Sequence, residues 1–289
     1  AVGQVAPPER RSTAFGLVTV AFSIGMFIMA PLLQYLINLH GWSGALQVAG
    51  GLVLIISLLA LGLPGNSSKT EKSTDREAES ELTLLKTING AMNHHGYLLL
   101  NVGFFVCGFH VAFIGTHLPS FLQAEGISIS TASWALAMIG LFNMFGSMIF
   151  GRMGDSLSKK NLLSLLYTLR AVVIAGFLAI PLNEITAIAF GAAIGFLWLA
   201  TVPLTSGIVA QVFGTRYLST LWAIVFFSHQ LGAFLGVWLG GRVYDATGSY
   251  TPVWLASIAL GLLAGIIHLP IREQPWKPSA LEPQTSGSD

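Results

Sequence analysis

Within its apolar blocks this sequence carries few residues capable of chemistry, and their types point to handling charge and protons. Arg170 is the only formal charge inside any long apolar stretch. His110 and His117 are seven residues apart, which leaves them about 20° apart around a helix and on one face. His229 and Gln230 follow Ser228 in a later block, Asn143 lies in another, and Thr201, Thr205 and Ser206 in a third. A guanidinium can hold a carboxylate, and an imidazole titrates near neutral pH and can pass a proton. Plainer readings stay open. Tyr167 or a carbonyl could hold Arg170, or its side chain could snorkel to the interface; the histidines could be neutral on backbone carbonyls, and the hydroxyls could bond one turn back. Enzymatic chemistry is disfavoured because these blocks hold no Asp, Glu or metal-binding cluster, and no phosphate loop, HExxH or nucleophile elbow occurs. No cofactor is expected. The tandem His94 and His95 lack further ligands at metal spacing and read as headgroup contacts. Cys107, the single cysteine, reads as a small packed side chain, and Gly232, Gly236 and Gly240 as close helix contacts.

Membrane helices must position these residues. Of 289 residues, 53% are hydrophobic and 9% charged, with a mean hydropathy of +0.70, where a soluble chain carries about 25% charged residues. Eight apolar stretches fall near residues 13–38, 43–63, 97–122, 132–151, 162–181, 185–210, 217–241 and 251–270. Each suits a helical span of about 20 residues, and none has the alternation of a barrel strand. The first dozen residues read as an exposed loop rather than a cleavable signal. Arg170 counts out at roughly 13 Å from the nearer edge of a core about 30 Å thick, with His110, Asn143 and His229 at similar depth. Pro119, Pro181 and Pro203 sit in or beside spans and are expected to kink them. Residues 64–95, with Lys69, Glu71, Lys72, Asp75, Arg76, Glu77, Glu79, Glu81 and Lys86, read as a linker. Twelve of the fourteen Lys and Arg fall on one side of the membrane, leaving Arg242 opposite and Arg170 within a span. The positive-inside rule makes that side, with both termini and the linker, cytoplasmic. The net charge of +1 gives no ground for a nucleic-acid partner.

The segment GRMGDSLSKK, from Gly151 to Lys160, joins two spans in a short loop. Its Gly151, Asp155, Lys159 and Lys160 fit a loop signature of Gly, Asp and a basic pair, with Ser156 and Ser158 where Arg and Gly are usual. An Asp at a helix end and a basic pair across a tight turn can clamp two helices in one of two arrangements. With RRSTAFG, GWSGAL, GFHVAFIGTHLPSFL, FGTRYLSTLWAIVFFSHQLGAFLG and GGRVYDATGSY, this loop resembles the major facilitator superfamily, in the bacterial branch related to monocarboxylate transporters and oxalate/formate antiporters. The resemblance implies an all-α membrane fold of eight transmembrane helices, forming the last third of the N-terminal half plus the complete C-terminal six-helix half of a twelve-helix protein. On that plan residues 1–63 close the N-terminal bundle, 64–95 link the halves, 96–271 form the C-terminal bundle and 272–289 a cytoplasmic tail.

The resemblance further implies a monomeric secondary carrier in the bacterial cytoplasmic (inner) membrane, working by alternating access. Its solute would be a small organic anion, in particular a monocarboxylate, moved with protons or by exchange. The alternatives are export of a neutral or hydrophobic compound by the same fold, or a non-transporting sensor. His110, His117, Asn143, Arg170, His229 and Gln230 would bind substrate or couple protons, and Gly151, Asp155, Lys159 and Lys160 would form a gating loop. His110 and His229 are expected to face each other across a polar cavity, with Asn143 on its wall and Arg170 on a more peripheral helix. Oxalate/formate antiporters carry a basic side chain on the span corresponding to residues 217–241, where this sequence offers only His229 as a substitute.

Overall fold

The computed structural model describes residues 7–60 and 84–276, and every helix or strand among them is a helix. The first six residues, linker residues 61–83 and tail residues 277–289 lie outside the described residues. In chain order the helices are α1 (Arg11–Ala60), α2 (His95–Ala124), α3 (Ile129–Ser156), α4 (Lys159–Ala179), α5 (Glu184–Phe196), α6 (Thr201–Phe213), α7 (Leu218–Thr247) and α8 (Thr251–His268), with a short helical stretch over 84–92 before α2. Seven helical runs among the described residues are long and apolar enough to cross a membrane.

The starts and breaks follow local chemistry. The His94 side chain accepts from Tyr97 N at the start of α2, Ser128 Oγ accepts from Thr131 N at the start of α3, and Asn183 and Thr186 form a reciprocal capping box at α5. α1 covers the first expected span and the second as far as Ala60, beyond which it lies outside the described residues, and is interrupted at Gly41, whose φ of 70° suits a residue without a Cβ. The expected span 185–210 is broken, since α5 stops at Phe196 and α6 begins at Thr201. Pro203 supplies the cause, because it has no N–H to give the carbonyl four residues back and its ring crowds that carbonyl, so the helix restarts with Pro203 in its first turn. Pro119, by contrast, lies inside the continuous α2, and Pro181 lies between α4 and α5.

Packing is close where glycines face backbone. A Cβ on Gly108 would overlap His229 O, and one on Gly232 would overlap Phe105 O, so α2 and α7 lie backbone to backbone. Gly236 and Gly240 extend that seam to Phe109 and His117, as expected of a small-residue face in lipid. α1 runs along α3 through Ser133 Oγ to Ala30 O at 3.1 Å and Asn143 Nδ2 to Ser23 Oγ at 2.9 Å. Two apolar clusters fill the interior. One holds Tyr97, Leu100, Phe104, Leu163, Leu166, Leu204 and Leu221. The other gathers Phe113, Phe121, Phe177 and Phe190 around the fully buried Trp254. Along α2 the clusters meet between Cys107 and Phe109, and along α4 between Tyr167 and Ile174. Arg170 and His110 lie in that boundary layer.

Candidate functional site

The broken span organises the layer. In a continuous helix Leu197 O and Trp198 O would accept from N–H groups one turn on; here the chain turns away and leaves them free. Arg170, 1% exposed, reaches them from α4: Nε donates to Leu197 O at 3.0 Å, and Nη2 donates to Leu197 O at 2.6 Å and to Trp198 O. A cation at the C-terminal end of α5 also opposes the negative end of its helix dipole. From the other side of the break Asn143 Oδ1 accepts from Leu199 N at 2.8 Å and from Ser147 Oγ at 3.2 Å, while its amide donates to Ser23 on α1. Two residues singled out from sequence thus hold one break, one satisfying its carbonyls and the other its N–H.

Arg170 Nη1 also donates to Cys107 Sγ at 3.4 Å, and that sulfur lies 3.3 Å from Thr201 Oγ1 in the first turn of α6. The guanidinium carbon stands 5.3 Å from the centroid of the Tyr167 ring. α4 packs against α8, α5 and α6, yet its arginine points into the interior and does not reach either end of the bundle. Cys107 is buried in the apolar core as a packing residue would be, and its sulfur in addition bonds to the Arg170 guanidinium.

The histidines are parted by their neighbours. His110 Nε2 lies 2.8 Å from Ser257 O on α8, and His117 Nε2 lies 2.9 Å from Val237 O on α7, so two residues on one side of α2 serve different helices. His229 Nδ1 lies 3.2 Å from Gln230 Oε1, and its ring packs on Phe104 at 4.9 Å and Phe226 at 5.4 Å. Among the described residues no hydrogen bond joins His110 to His229. Space explains the divergence: Gly261 leaves room for the His110 ring against α8, and His229 is enclosed by aromatic rings. Gln230 is exposed on α7. Ser206 Oγ bonds back to Val202 O at 2.7 Å, the plainer of its two readings.

At the end of the bundle that carries Arg11, Arg152, Lys159 and Lys160, Asp155 receives Ser12 N at 2.9 Å, Thr13 N at 3.2 Å and Thr13 Oγ1 at 2.5 Å. The loop carboxylate thereby caps the start of α1, and Gly151 brings α3 against Ser12 O. Lys159 Nζ donates to Gln211 Oε1 at 2.9 Å and Lys160 Nζ to Leu269 O at 2.8 Å. Glu273 Oε1 receives Lys160 N at 2.6 Å and Ser158 Oγ at 3.2 Å, capping α4. A cleft of about 820 Å³ opens here between Glu9, Ser12, Asp155, Lys159 and Gln211. At the same end burial, and secondarily the charge of His95, hold His94 below the ordinary histidine value of 6.5. At the other end burial chiefly raises the Tyr250 phenol. Among the described residues no group of three or more His, Cys, Asp or Glu could hold a metal ion.

Sequence reasoning passed over His268, read Cys107 as a packing residue only, and named Tyr167 only as a possible support for Arg170. All three are buried, and Tyr167 stacks on His268 at 4.9 Å. The opposed glycine Gly103, where a Cβ would overlap the His268 ring, was the available signal.

Comparison with known proteins agrees with this architecture. The chain is 26% identical to Monocarboxylate transporter 12 of Mus musculus over 295 residues, covering 90% of this chain and 60% of that protein. It is 29% identical to Monocarboxylate transporter 13 of Rattus norvegicus, covering 91% and 60%. It is 23% identical to Uncharacterized MFS-type transporter YcxA of Bacillus subtilis, covering 90% and 64%. The chain thus spans about three fifths of the length of these relatives. The family model of the Major Facilitator Superfamily matches residues 1–198 and 100–286. On that match, with its membrane helices packed as described, the chain belongs to the Major Facilitator Superfamily.

Proposed function

We propose that this chain forms the larger part of a secondary carrier that moves a small organic anion, a monocarboxylate, across a bacterial cytoplasmic membrane with a proton or in exchange for a second anion. The observation that carries this reading is Arg170, a buried cation whose described hydrogen bonds all go to neutral acceptors: two carbonyls and a thiol. Its charge is therefore left uncompensated in the apolar interior. At an effective dielectric of about 20, a carboxylate about 8 Å away gains about 2 kcal/mol, which offsets part of its lost hydration.

In this reading Arg170 supplies the attraction, His110 takes the proton, and His229 with Gln230 receives the anion from the face of α7. His117 lies on the same path toward the Tyr250 end. Asn143 ties the broken span to α1, so that movement of the N-terminal helices is felt at the break. Gly151, Asp155, Lys159 and Lys160 form the gate that joins the halves in one state and releases them in the other. The basic end is cytoplasmic and the carrier is monomeric. The names of the relatives support transport of a monocarboxylate.

A second reading, export of a neutral or hydrophobic compound, is favoured by one observation: Arg170 has so many of its donors on carbonyls that it can be explained as a brace for the break. Arg170→Gln in the complete carrier separates the two. In proteoliposomes with an imposed pH gradient, uptake from a panel of radiolabelled pyruvate, lactate, formate and oxalate is measured beside membrane abundance. Loss of carboxylate uptake at normal abundance is the expected result. Undiminished uptake would leave Arg170 as a brace only.

A further inference from the structure

Beside Thr205 Oγ1 and Trp254 Nε1, three buried polar atoms on titratable side chains of the C-terminal bundle have no hydrogen-bond partner: His268 Nε2, Tyr167 Oη and His110 Nδ1. They come from α8, α4 and α2, and each belongs to a side chain no more than 1% exposed. The two histidines are pinned in a telling way. His268 Nδ1 lies 2.6 Å from Ala264 O, and His110 Nε2 lies 2.8 Å from Ser257 O. A carbonyl only accepts, so the proton of each neutral ring is assigned to the bonded nitrogen, and the other nitrogen presents a lone pair without a donor. Two bases are thus held ready inside the protein, with a phenol between them.

The three groups form a file. His268 is the last residue of α8, at the end of the bundle where Lys160 Nζ bonds to Leu269 O. Its ring stacks on Tyr167 with centroids 4.9 Å apart and planes 18° from parallel. Tyr167 lies under Arg170 and within interaction distance of Cys107. His110 follows, within electrostatic reach of Arg170. A Cβ on Gly261 would stand 3.3 Å from both His110 Cε1 and the Tyr167 backbone carbonyl, so that glycine leaves space between the His110 ring and α4. Orphaned polar atoms in such gaps are ordinarily satisfied by ordered water, which joins groups too far apart to bond directly. The titratable and charged groups around the file are Cys107 from α2, Arg170 from α4 and His229 from α7 and, at its outer end, Lys160 and Glu273 with His94 and Arg272 beside them.

We propose that His268, Tyr167 and His110 form an internal proton path that runs from the basic end of the bundle to Arg170, separate from the opening through which solute passes. His268 Nε2 takes a proton arriving from that end. The proton is released from Nε2 toward Tyr167, whose oxygen accepts it while giving up its own hydrogen through water to His110 Nδ1. The phenol ends unchanged, one proton having entered and one left. A protonated His110 beside Arg170 sets two cations together, and a bound carboxylate holds both. The path therefore delivers a proton where an anion is bound, as symport requires. This inference rests on the carrier reading above.

The test uses the complete carrier in proteoliposomes with an imposed pH gradient and the same panel of radiolabelled pyruvate, lactate, formate and oxalate. Tyr167→Phe removes one hydroxyl and keeps the ring stack; His268→Gln is the second variant. Each is expected to lower gradient-driven uptake at least about tenfold, with solute-for-solute exchange retained within about twofold. Retained exchange reports a folded carrier, which a merely structural role would not spare. If wild type accumulates a carboxylate along the gradient and both variants do so equally well, the path is overturned while the carrier reading stands. If wild type accumulates none of the panel, the carrier reading fails and the path with it. Parallel loss of exchange and gradient-driven uptake in both variants would also overturn the path, leaving the residues as packing.

Discussion

Arg170 at mid-depth and Asp155 at the basic end do the same electrostatic job in different surroundings. Arg170 places a cation on the free carbonyls where α5 ends, and Asp155 places an anion on the free N–H groups where α1 begins. Their surroundings set the consequences. Arg170 is 1% exposed, so nothing but protein can take over its bonds, whereas Asp155 is half-buried beside an open cleft and water can replace it. The buried contact is a lock, and the contact at the end is a latch that can open at small cost.

The sharpest way to break the comparison is Arg170→Leu, which removes every donor and leaves Leu197 O and Trp198 O buried without a partner. Loss of about 3 kcal/mol is expected, read as a fall in thermal unfolding midpoint in nanodiscs. An unchanged midpoint would show that the break holds itself. Asp155→Asn should act more gently, because the amide keeps one acceptor oxygen while it loses the charge and the other acceptor, at an end of the bundle where water can replace them. About 1 kcal/mol is expected, seen as roughly fivefold faster thiol labelling of a Ser12→Cys reporter as α1 detaches. Labelling at the wild-type rate would mean that packing between Gly151 and Ser12, rather than the carboxylate, holds the latch.

The smallest effect concerns His94, the cap of α2, whose Nδ1 accepts from Tyr97 N at 3.2 Å. Burial first, and His95 second, lower its folded value below 6.5. A lowered value means that the cap contributes fully above 6.5 and is lost as pH falls through that value toward the folded one. Stability should fall by less than about 1 kcal/mol on acidification, given the usual worth of a cap. His94→Asn keeps an acceptor there and should flatten the dependence; an equal slope in wild type and variant would assign it elsewhere.

Much of the architecture was legible before the structure. Hydropathy placed the helical spans, and the Asp155 loop announced a contact between helix ends. Counting residues placed Arg170, Asn143 and His110 well inside their apolar stretches, and all three are buried in the bundle. Pro203 marked a kink in the span over 185–210, but that the kink is a full break at 197–200 was not legible, because 26 residues of apolar character read as one continuous helix. The partners of Cys107 and His268 were missed for a different reason. One small thiol and one histidine at a span end carry no local mark of what lies opposite them. His110 and His117 show the limit most clearly: a spacing of seven residues puts them on one side of α2, but Ser257 O and Val237 O draw them to different helices.

By itself the sequence determined a membrane protein made of helices, the position of each polar group along its apolar stretch, and the segments where the basic residues collect. These depend on sums along one chain: apolar length, rise per residue and charge position. The tertiary structure decided which partner each polar group has. That depends on how every helix is rotated about its axis and how near glycines such as Gly103, Gly108, Gly232 and Gly261 let the next helix come. A turn of 100° per residue makes the facing side sensitive to a one-residue change in register, and only the packed bundle fixes it. So Arg170 met the carbonyls of a broken span, and two histidines were left with free lone pairs in the interior.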